Sequence, residues 1–137
     1  MSAAAALDCL RPIPNHRIEI RTSLTRGRGV FARTAIAPGT LIEAAPVLVI
    51  PAADCPALDR TIIHDYYFHW DGDPEGVGRG ALGLGLVTLC NHASRPNAKV
   101  DRNFAQQTLD LIATSPIASG DEVTINYGCT LWFEPRD

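Results

Sequence analysis

Three short stretches of the chain combine residue types that could form a ligand site. The first reads Asn-His-Ala-Ser-Arg-Pro-Asn at positions 91–97 and follows an apolar, glycine-punctuated run at 81–87. Asparagine, serine and proline at this density are typical of turns, where short polar side chains hydrogen-bond to the local backbone. A polar loop that follows a buried strand is a common position for binding residues. The stretch is therefore predicted to be a binding loop.

The other two stretches add a glycine pair and a tyrosine. Residues 26–32 read Arg-Gly-Arg-Gly-Val-Phe-Ala, and residues 120–128 read Gly-Asp-Glu-Val-Thr-Ile-Asn-Tyr-Gly. Gly27 and Gly29 would let the backbone approach a ligand that a Cβ would obstruct, although an isolated pair usually marks a plain turn. A single tyrosine at a strand end more often exposes its hydroxyl to water. An Asn-His pair is as often a capped turn with a core histidine. Only the three stretches together favour a site.

The segments that must hold these stretches read mostly as β-strands. Residues 23–29 are predicted to be a turn and residues 52–64 a short helix. Residues 35–42 and 116–123 share an Ile-Ala turn pattern that precedes a strand each time. Polar–apolar alternation and β-branched runs predict strands at 17–21, 30–33, 40–43, 46–50 and 65–70, and a hairpin of 98–101 with 108–113 that turns near Asn103. The chain is predicted to be one mostly-β domain.

The charge distribution narrows the class of partner. The net charge is −3, and it divides into +4 over residues 1–33 and −7 over the remainder. No basic cluster is dense enough to predict nucleic-acid binding. The acidic stretch at 59–75 would suit a basic peptide, although such runs are more often solvated faces.

The spacing of the cysteines bears on metal binding, and the N-terminal sequence bears on the cellular compartment. The four cysteines form no close pair, which argues against a structural zinc site. His64, His69, Asp71 and Asp73 are interpreted as exposed loop residues, so no metal site is predicted. Residues 1–7 lack the basic flank and the length of a signal peptide or a membrane span. We expect a soluble, cytoplasmic protein, with nuclear or secreted-effector use left open.

In this order and at these distances, the three stretches resemble the SET-domain family of protein lysine methyltransferases. Gly27–Ala32 is similar to the family's G-x-G-V-F-A, residues 91–97 to its N-H-S-x-x-P-N with Ala93 in place of serine, and Glu122–Gly128 to its E-[LIV]-T-x-x-Y-G. The likeness covers about residues 17–132. It is closest to compact viral and bacterial members that lack cysteine-rich zinc segments on either side of the domain.

The resemblance implies a fold and a division of the chain. The fold is a mostly-β, SET-type β-clip of small curved sheets with short helices and a C-terminal pseudoknot. The pseudoknot would unite the Asn91 and Tyr127 regions. The chain would divide into an extended arm at 1–15, a SET domain at 16–128, and a tail at 129–137 that completes the cofactor and substrate site.

The resemblance also implies an activity. S-adenosyl-L-methionine would donate a methyl group to a lysine side chain of a histone or other basic protein and leave as S-adenosyl-L-homocysteine. Tyr127 and Tyr66 would be the catalytic residues, with Tyr127 orienting the amine rather than acting as a strong base. The cofactor-binding residues would be Gly27, Arg28, Gly29, Tyr66, Asn91, His92, Tyr127 and Trp132.

Two alternatives remain open. The same scaffold could be a non-catalytic protein- or cofactor-binding module, although such a module does not need Tyr127 together with the Asn91-His92 pair. A small β-clip domain of another family would explain the Ile-Ala turns but not residues 91–97. The expected partner is a basic, lysine-containing protein or peptide, with no nucleic acid and no membrane. A homodimer is expected by analogy with compact family members.

Overall fold

The computed structural model describes residues 17–72 and 78–126, and most of the secondary structure there is β. Three short 3-10 helices, at Ala52–Asp54, Ile62–Asp65 and Leu86–Leu89, and one α-helix, α1 (Cys55–Leu58), connect the strands. No helix in these two ranges is both long and apolar enough to cross a membrane. The strands are β1 (Ile18–Ser23), β2 (Gly27–Ala32), β3 (Leu41–Ile50), β4 (Phe68–His69), β5 (Gly80–Gly83), β6 (Asn91–His92), β7 (Ala98–Asn103), β8 (Thr108–Ala113) and β9 (Glu122–Ile125).

The strands form two sheets. One has the order β1-β2-β9-β6 and the other the order β4-β5-β3-β8-β7. Neighbouring strands are antiparallel except for β6 and β9, which pair in parallel with Asn91 opposite Thr124 and His92 opposite Ile125. Because β2 lies on the other side of β9, the first sheet places the 26–32, 91–97 and 120–126 regions side by side. The mostly-β expectation is confirmed.

Strand β8 shows how sequence alternation builds the core. Leu109, Leu111 and Ala113 point inward and are at most 2% exposed, whereas the residues between them are half-buried. Period-two burial is the expected pattern for a strand with one face on the core. Residues from both sheets contribute to the same apolar cluster, including Val30 and Val123 of the first sheet. The first sheet is therefore held by the core as well as by its own backbone pairing.

A bulge in β3 aims a carboxylate at the segment before the binding loop. Leu41 pairs with Ile112 but Glu43 pairs with Leu111, so Ile42 is an extra residue in β3 and is buried. The Glu43 carboxylate accepts hydrogen bonds from the backbone N–H groups of Leu86 (3.0 Å) and Val87 (2.8 Å). It thereby satisfies the free donors at the start of the Leu86–Leu89 helix. This helix leads directly into Asn91.

Two turns with the same sequence pattern pair with each other. Ile36 and Ile117 form an antiparallel bridge, with N···O distances of 2.8 and 3.0 Å. The glycine that follows each isoleucine by three residues has positive φ, +84° at Gly39 and +92° at Gly120. The Ile-Ala similarity thus reflects two copies of one local turn that close onto the core together, rather than a structural repeat.

Several boundaries differ from the predicted ones. Strand β2 begins at Gly27 rather than at residue 30, because backbone pairing of Ser23 with Gly27 confines the turn to 24–26. The segments 40–43 and 46–50 are one strand. The predicted helix at 52–64 is three separate short turns of helix.

The aromatic and binding segments also differ from prediction. The strand expected at 65–70 is only Phe68–His69, because the backbone N–H of Tyr66 still bonds to Ile63 O at the end of a 3-10 helix. Asn91–His92 is a short strand rather than an open loop, because β9 supplies a backbone partner distant in sequence. The 98–113 hairpin is as predicted, with β7 extending to Asn103.

We expect Glu43→Ala to destabilise the fold. The substitution removes an ionised acceptor from two backbone donors, and a hydrogen bond to a charged group contributes roughly 1.5–3 kcal/mol. The free energy of unfolding, measured by urea titration, should fall by about 2 kcal/mol or more. Glu19→Ala, which removes an exposed ion pair with Arg21, is the matched control and should change stability by less than about 1 kcal/mol. Equal losses in the two variants would contradict the assigned role of Glu43.

Candidate functional site

The carboxylate of Glu122 joins the three stretches singled out in the sequence. Its Oε1 lies 3.0 Å from Nη1 of Arg26, and its Oε2 accepts a hydrogen bond of 2.7 Å from Nδ2 of Asn91. Only 9% of the Glu122 side chain is exposed. Asn91 Nδ2 also donates to the carbonyl oxygen of Arg28 at 3.1 Å. One largely buried charge therefore links the start of β9 to the residue before β2 and to β6.

The two glycines of β2 serve different purposes. Gly27 has φ of +72°, a backbone conformation that favours glycine, and a Cβ there would meet no neighbour within 4 Å. Gly29 has ordinary φ, but a Cβ would overlap Glu122 Oε2 and lie 2.8 Å from Asn91 Nδ2. The first glycine is needed for the turn, and the second leaves room for the carboxylate–amide hydrogen bond.

Asn97 holds β9 from the other end of the binding loop. Its Nδ2 donates to the backbone carbonyl of Glu122 at 2.8 Å, and its Oδ1 accepts from the backbone N–H of Thr124 at 2.9 Å. An asparagine side chain can pair with backbone in this way because its amide has the same donor and acceptor as a peptide group. The first and last residues of the Asn-His-Ala-Ser-Arg-Pro-Asn stretch thus both contact Glu122.

A cavity of about 260 Å³ opens beside this network and is called here the Tyr66 cavity. It offers guanidinium, carboxylate, phenol, hydroxyl and amide groups, which together suit a small ligand that carries both charges. Its wall consists of Arg26, Arg28, Asp65, Tyr66, Thr88, Leu89, Cys90 and Asn91.

The predicted site residues are distributed unevenly around this cavity. Arg28, Tyr66 and Asn91 line it. Gly27 and Gly29 lie in β2 beside Arg28, and His92 is buried behind Asn91, 8% exposed and paired with β9. The two remaining predicted residues, Tyr127 and Trp132, lie outside the described residues. Tyr127 is next in sequence to Asn126, which directly follows β9.

A polar cluster on the surface includes Tyr67, the residue after Tyr66. The hydroxyl of Tyr67 donates to Asp59 Oδ1 at 2.5 Å, and His64 Nδ1 lies 3.0 Å from the same oxygen. Partial burial opposes ionisation of Asp59, but the hydrogen bonds from Tyr67 and His64 hold the pKa of its carboxyl below the usual value. Burial and the neighbouring Asp59 raise the pKa of the Tyr67 phenol. Tyr67 is therefore a structural donor, and its neighbour Tyr66 is the tyrosine that faces the cavity.

Cys90 belongs to the cavity wall but is a poor nucleophile. Burial is the main cause of a raised pKa for its thiol, and the nearby carboxylates of Glu43 and Glu122 raise that pKa further. A thiol that stays protonated at neutral pH does not attack an electrophile. The Tyr66 cavity is thus a binding and positioning environment rather than a site of cysteine chemistry.

A second cavity, of about 410 Å³, is lined by both residues of the Arg26–Glu122 pair and is called the Ser94 cavity. Both cavities share Arg26, whose buried Nε has no hydrogen-bond acceptor among the described residues. The wall of the Ser94 cavity consists of Arg26, Ala93, Ser94, Arg95, Asn97, Asp121, Glu122 and Thr124. Arg26 is therefore the residue that the two cavities have in common, and Glu122 lines only the Ser94 cavity.

Sequence reasoning missed three polar residues of this region. Arg26, Asn97 and Glu122 belong to the three stretches, but none of them is among the predicted site residues. A charged residue at the first position of an otherwise apolar strand, as at Glu122, was the available signal. The partners could not be inferred because they lie 31 and 96 residues away in sequence.

We expect the two glycines of β2 to differ in their tolerance of alanine. Gly27→Ala should cost about 1 kcal/mol, the usual penalty for positive φ in a residue with a Cβ. Gly29→Ala should cost about 2 kcal/mol or more, because Glu122 must give up a charge-assisted hydrogen bond to make room. Urea denaturation of both variants measures the difference. A smaller loss of stability in Gly29→Ala than in Gly27→Ala would show that the Glu122 carboxylate can move without losing its hydrogen bond.

The sequence is similar to that of known proteins. The family model described as SET domain matches residues 27–128. The histone-lysine N-methyltransferase of Schizosaccharomyces pombe (strain 972 / ATCC 24843) that is specific for H3 lysine-37 is 31% identical over 124 residues, which are 90% of this chain and 81% of the relative.

Solved structures share the fold. A crystal structure of a Plasmodium falciparum protein proposed to be a histone methyltransferase superposes with a TM-score of 0.67 at 27% identity, over 88% of this chain and all of the other. The ctPRC2 structure in complex with H3K27me3 and H3K27M superposes with a TM-score of 0.68 at 21% identity, over 84% of this chain and 15% of the other, and shows the fold alone. The family match covers the three stretches from residue 27 through residue 128, and the chain belongs to the SET domain family.

Proposed function

We propose that this protein transfers a methyl group from S-adenosyl-L-methionine to a lysine side chain of a histone or similar basic protein. Family membership and the 31% identical histone-lysine methyltransferase support protein-lysine methylation as the activity. The observation that carries the proposal for this chain is the Tyr66 cavity, where Arg28, Tyr66 and Asn91 converge from three separate segments.

The residues of this cavity fit the amino-acid part of the cofactor. The methionine moiety carries a carboxylate, an ammonium group and a sulfonium, and the cavity offers guanidinium donors, a carboxylate and oxygen acceptors within one small space. Its volume of about 260 Å³ is below the roughly 300–1,000 Å³ of most ligand pockets. We therefore assign to it the amino-acid and sulfonium part of the cofactor.

When bound, the cofactor supplies an electrophilic methyl group on a positively charged sulfur. The residues of the chain would bind it, exclude water and orient the incoming amine. A lysine amine is mostly protonated at neutral pH, because its reference pKa is about 10.4. Desolvation and a nearby second positive charge lower that pKa. Alignment of the neutral amine then supplies much of the rate. Tyr66 would form a wall of the space that the lysine enters. Tyr127 would hold the amine in line with the methyl group.

The proposed substrate class is supported by the histone-lysine methyltransferase relative more than by the acidic surface charge at 59–75. Two of the acidic residues in the 59–75 stretch are engaged within the protein. Asp59 contacts Tyr67 and His64, and Asp71 forms an ion pair with Arg79. Asp65 lines the Tyr66 cavity. A histone tail is the first substrate to test, because the Schizosaccharomyces pombe relative acts on H3.

We expect Tyr127→Phe to lose methyl transfer while it still binds S-adenosyl-L-homocysteine. Removing one orienting hydroxyl should lower kcat by roughly 100-fold or more, and the Kd from calorimetry should stay within about twofold of wild type. Transfer of radiolabelled methyl groups to purified histones measures kcat.

Tyr67→Phe is the matched control, because its hydroxyl bonds Asp59 outside the cavity. It should leave kcat within about threefold of wild type. Full activity of Tyr127→Phe would remove Tyr127 from the mechanism. A wild-type protein that binds S-adenosyl-L-homocysteine but methylates no histone or basic peptide would overturn the proposed function in favour of a non-catalytic binding module.

A further inference from the structure

The side-chain amide of Asn91 has only one orientation that its surroundings accept. Its Nδ2 lies within hydrogen-bond distance of Glu122 Oε2 (2.7 Å) and of the Arg28 carbonyl (3.1 Å). A carboxylate and a backbone carbonyl both accept hydrogen bonds and cannot donate. The NH₂ end must therefore face these two oxygens. Both of its protons are used, and Oδ1 is the end left to accept a hydrogen bond from a ligand.

Glu122 itself does not line the Tyr66 cavity. The carboxylate borders the Ser94 cavity, while its two partners, Asn91 and Arg26, line the Tyr66 cavity. A ligand in the Tyr66 cavity thus meets the amide of Asn91 and not the carboxylate. Any effect of Glu122 on such a ligand must pass through the residues it holds.

We infer that Glu122 is a positioning residue that fixes the amide of Asn91 so that Oδ1 faces an N–H donor of the cofactor. The ammonium group of the methionine moiety is the donor of matching chemistry. This inference rests on the proposed function. It also gives Gly29 its purpose, because a Cβ at this position would occupy the space in which carboxylate and amide meet.

Glu122→Gln is the sharpest test because it preserves shape and removes the charge. The glutamine amide can accept from one of the two neighbours, Arg26 or Asn91, but must present its own NH₂ to the other donor. Asn91 is then free to turn its amide over. We expect the KM for S-adenosyl-L-methionine to rise about tenfold, the equivalent of one charge-assisted hydrogen bond. Because the lost interaction is equal in the ground and transition states, kcat at saturating cofactor should change by less than about threefold.

Two comparisons separate positioning from general destabilisation. Glu19→Gln removes the same charge from an exposed pair with Arg21 and should leave KM unchanged. In an Asn91→Ala background, Glu122→Gln should raise KM no further, because the residue through which it acts is gone. A full tenfold increase in that background would assign the effect to Arg26 and overturn the inference. So would a KM in Glu122→Gln equal to that of Glu19→Gln.

A measurement on the wild-type protein without cofactor keeps the inference testable if Glu122→Gln does not fold. The two side-chain amide protons of Asn91, assigned in NMR spectra by their loss in Asn91→Ala, should exchange with solvent slowly because both are bonded. Rapid exchange would overturn the inference whether or not the protein is an enzyme. If these protons exchange slowly but the protein transfers no methyl group, only the proposed function is overturned.

Discussion

The site depends on one buried carboxylate. Glu122 is largely shielded from water, and burying a charge is unfavourable unless it is paired and hydrogen-bonded. Arg26 supplies the charge and Asn91 the hydrogen bond, each to a different oxygen. Because an unpaired buried carboxylate would cost several kcal/mol, the three stretches must come together in this arrangement or lose stability. The same interaction thus stabilises the fold and assembles the ligand cavity.

The remaining structure brings the partners of this carboxylate within reach. Pairing of Phe31 with Glu122 sets β2 against β9, and the parallel pairing of Asn91 with Thr124 sets β6 on the other side. The second sheet contributes through Glu43, which fixes the short helix before Asn91. The carboxylates of Glu43 and Glu122, which come from different sheets, therefore determine where the Asn91 amide lies. Burial, aided by the charges of Glu43 and Glu122, raises the pKa of the Cys90 thiol and keeps it protonated.

Local sequence patterns predicted the elements that depend on local physics. The β7–β8 hairpin follows from alternation and a turn, and the mostly-β class follows from many short strands. The strand predicted at 65–70 is shortened to Phe68–His69, because a 3-10 turn at Ile63 competes with the β-propensity of aromatic residues. The bulge at Ile42 and the partners of Glu122 were not predictable, because strand register is fixed by pairing between segments distant in sequence. Resemblance to the family supplied what periodicity could not, namely that the three stretches belong to one site.

The central claim is that the cofactor binds on the Asn91 side of the Arg26–Glu122 pair, with the carboxylate behind it. A crystal structure of the protein with S-adenosyl-L-homocysteine tests this most directly. The account predicts the amino-acid part of the ligand in the Tyr66 cavity, within hydrogen-bond distance of Asn91 Oδ1, with the Glu122–Asn91 bond unchanged. Ligand density in the Ser94 cavity, beside Arg95, or an Asn91 amide turned away from Glu122 would contradict it.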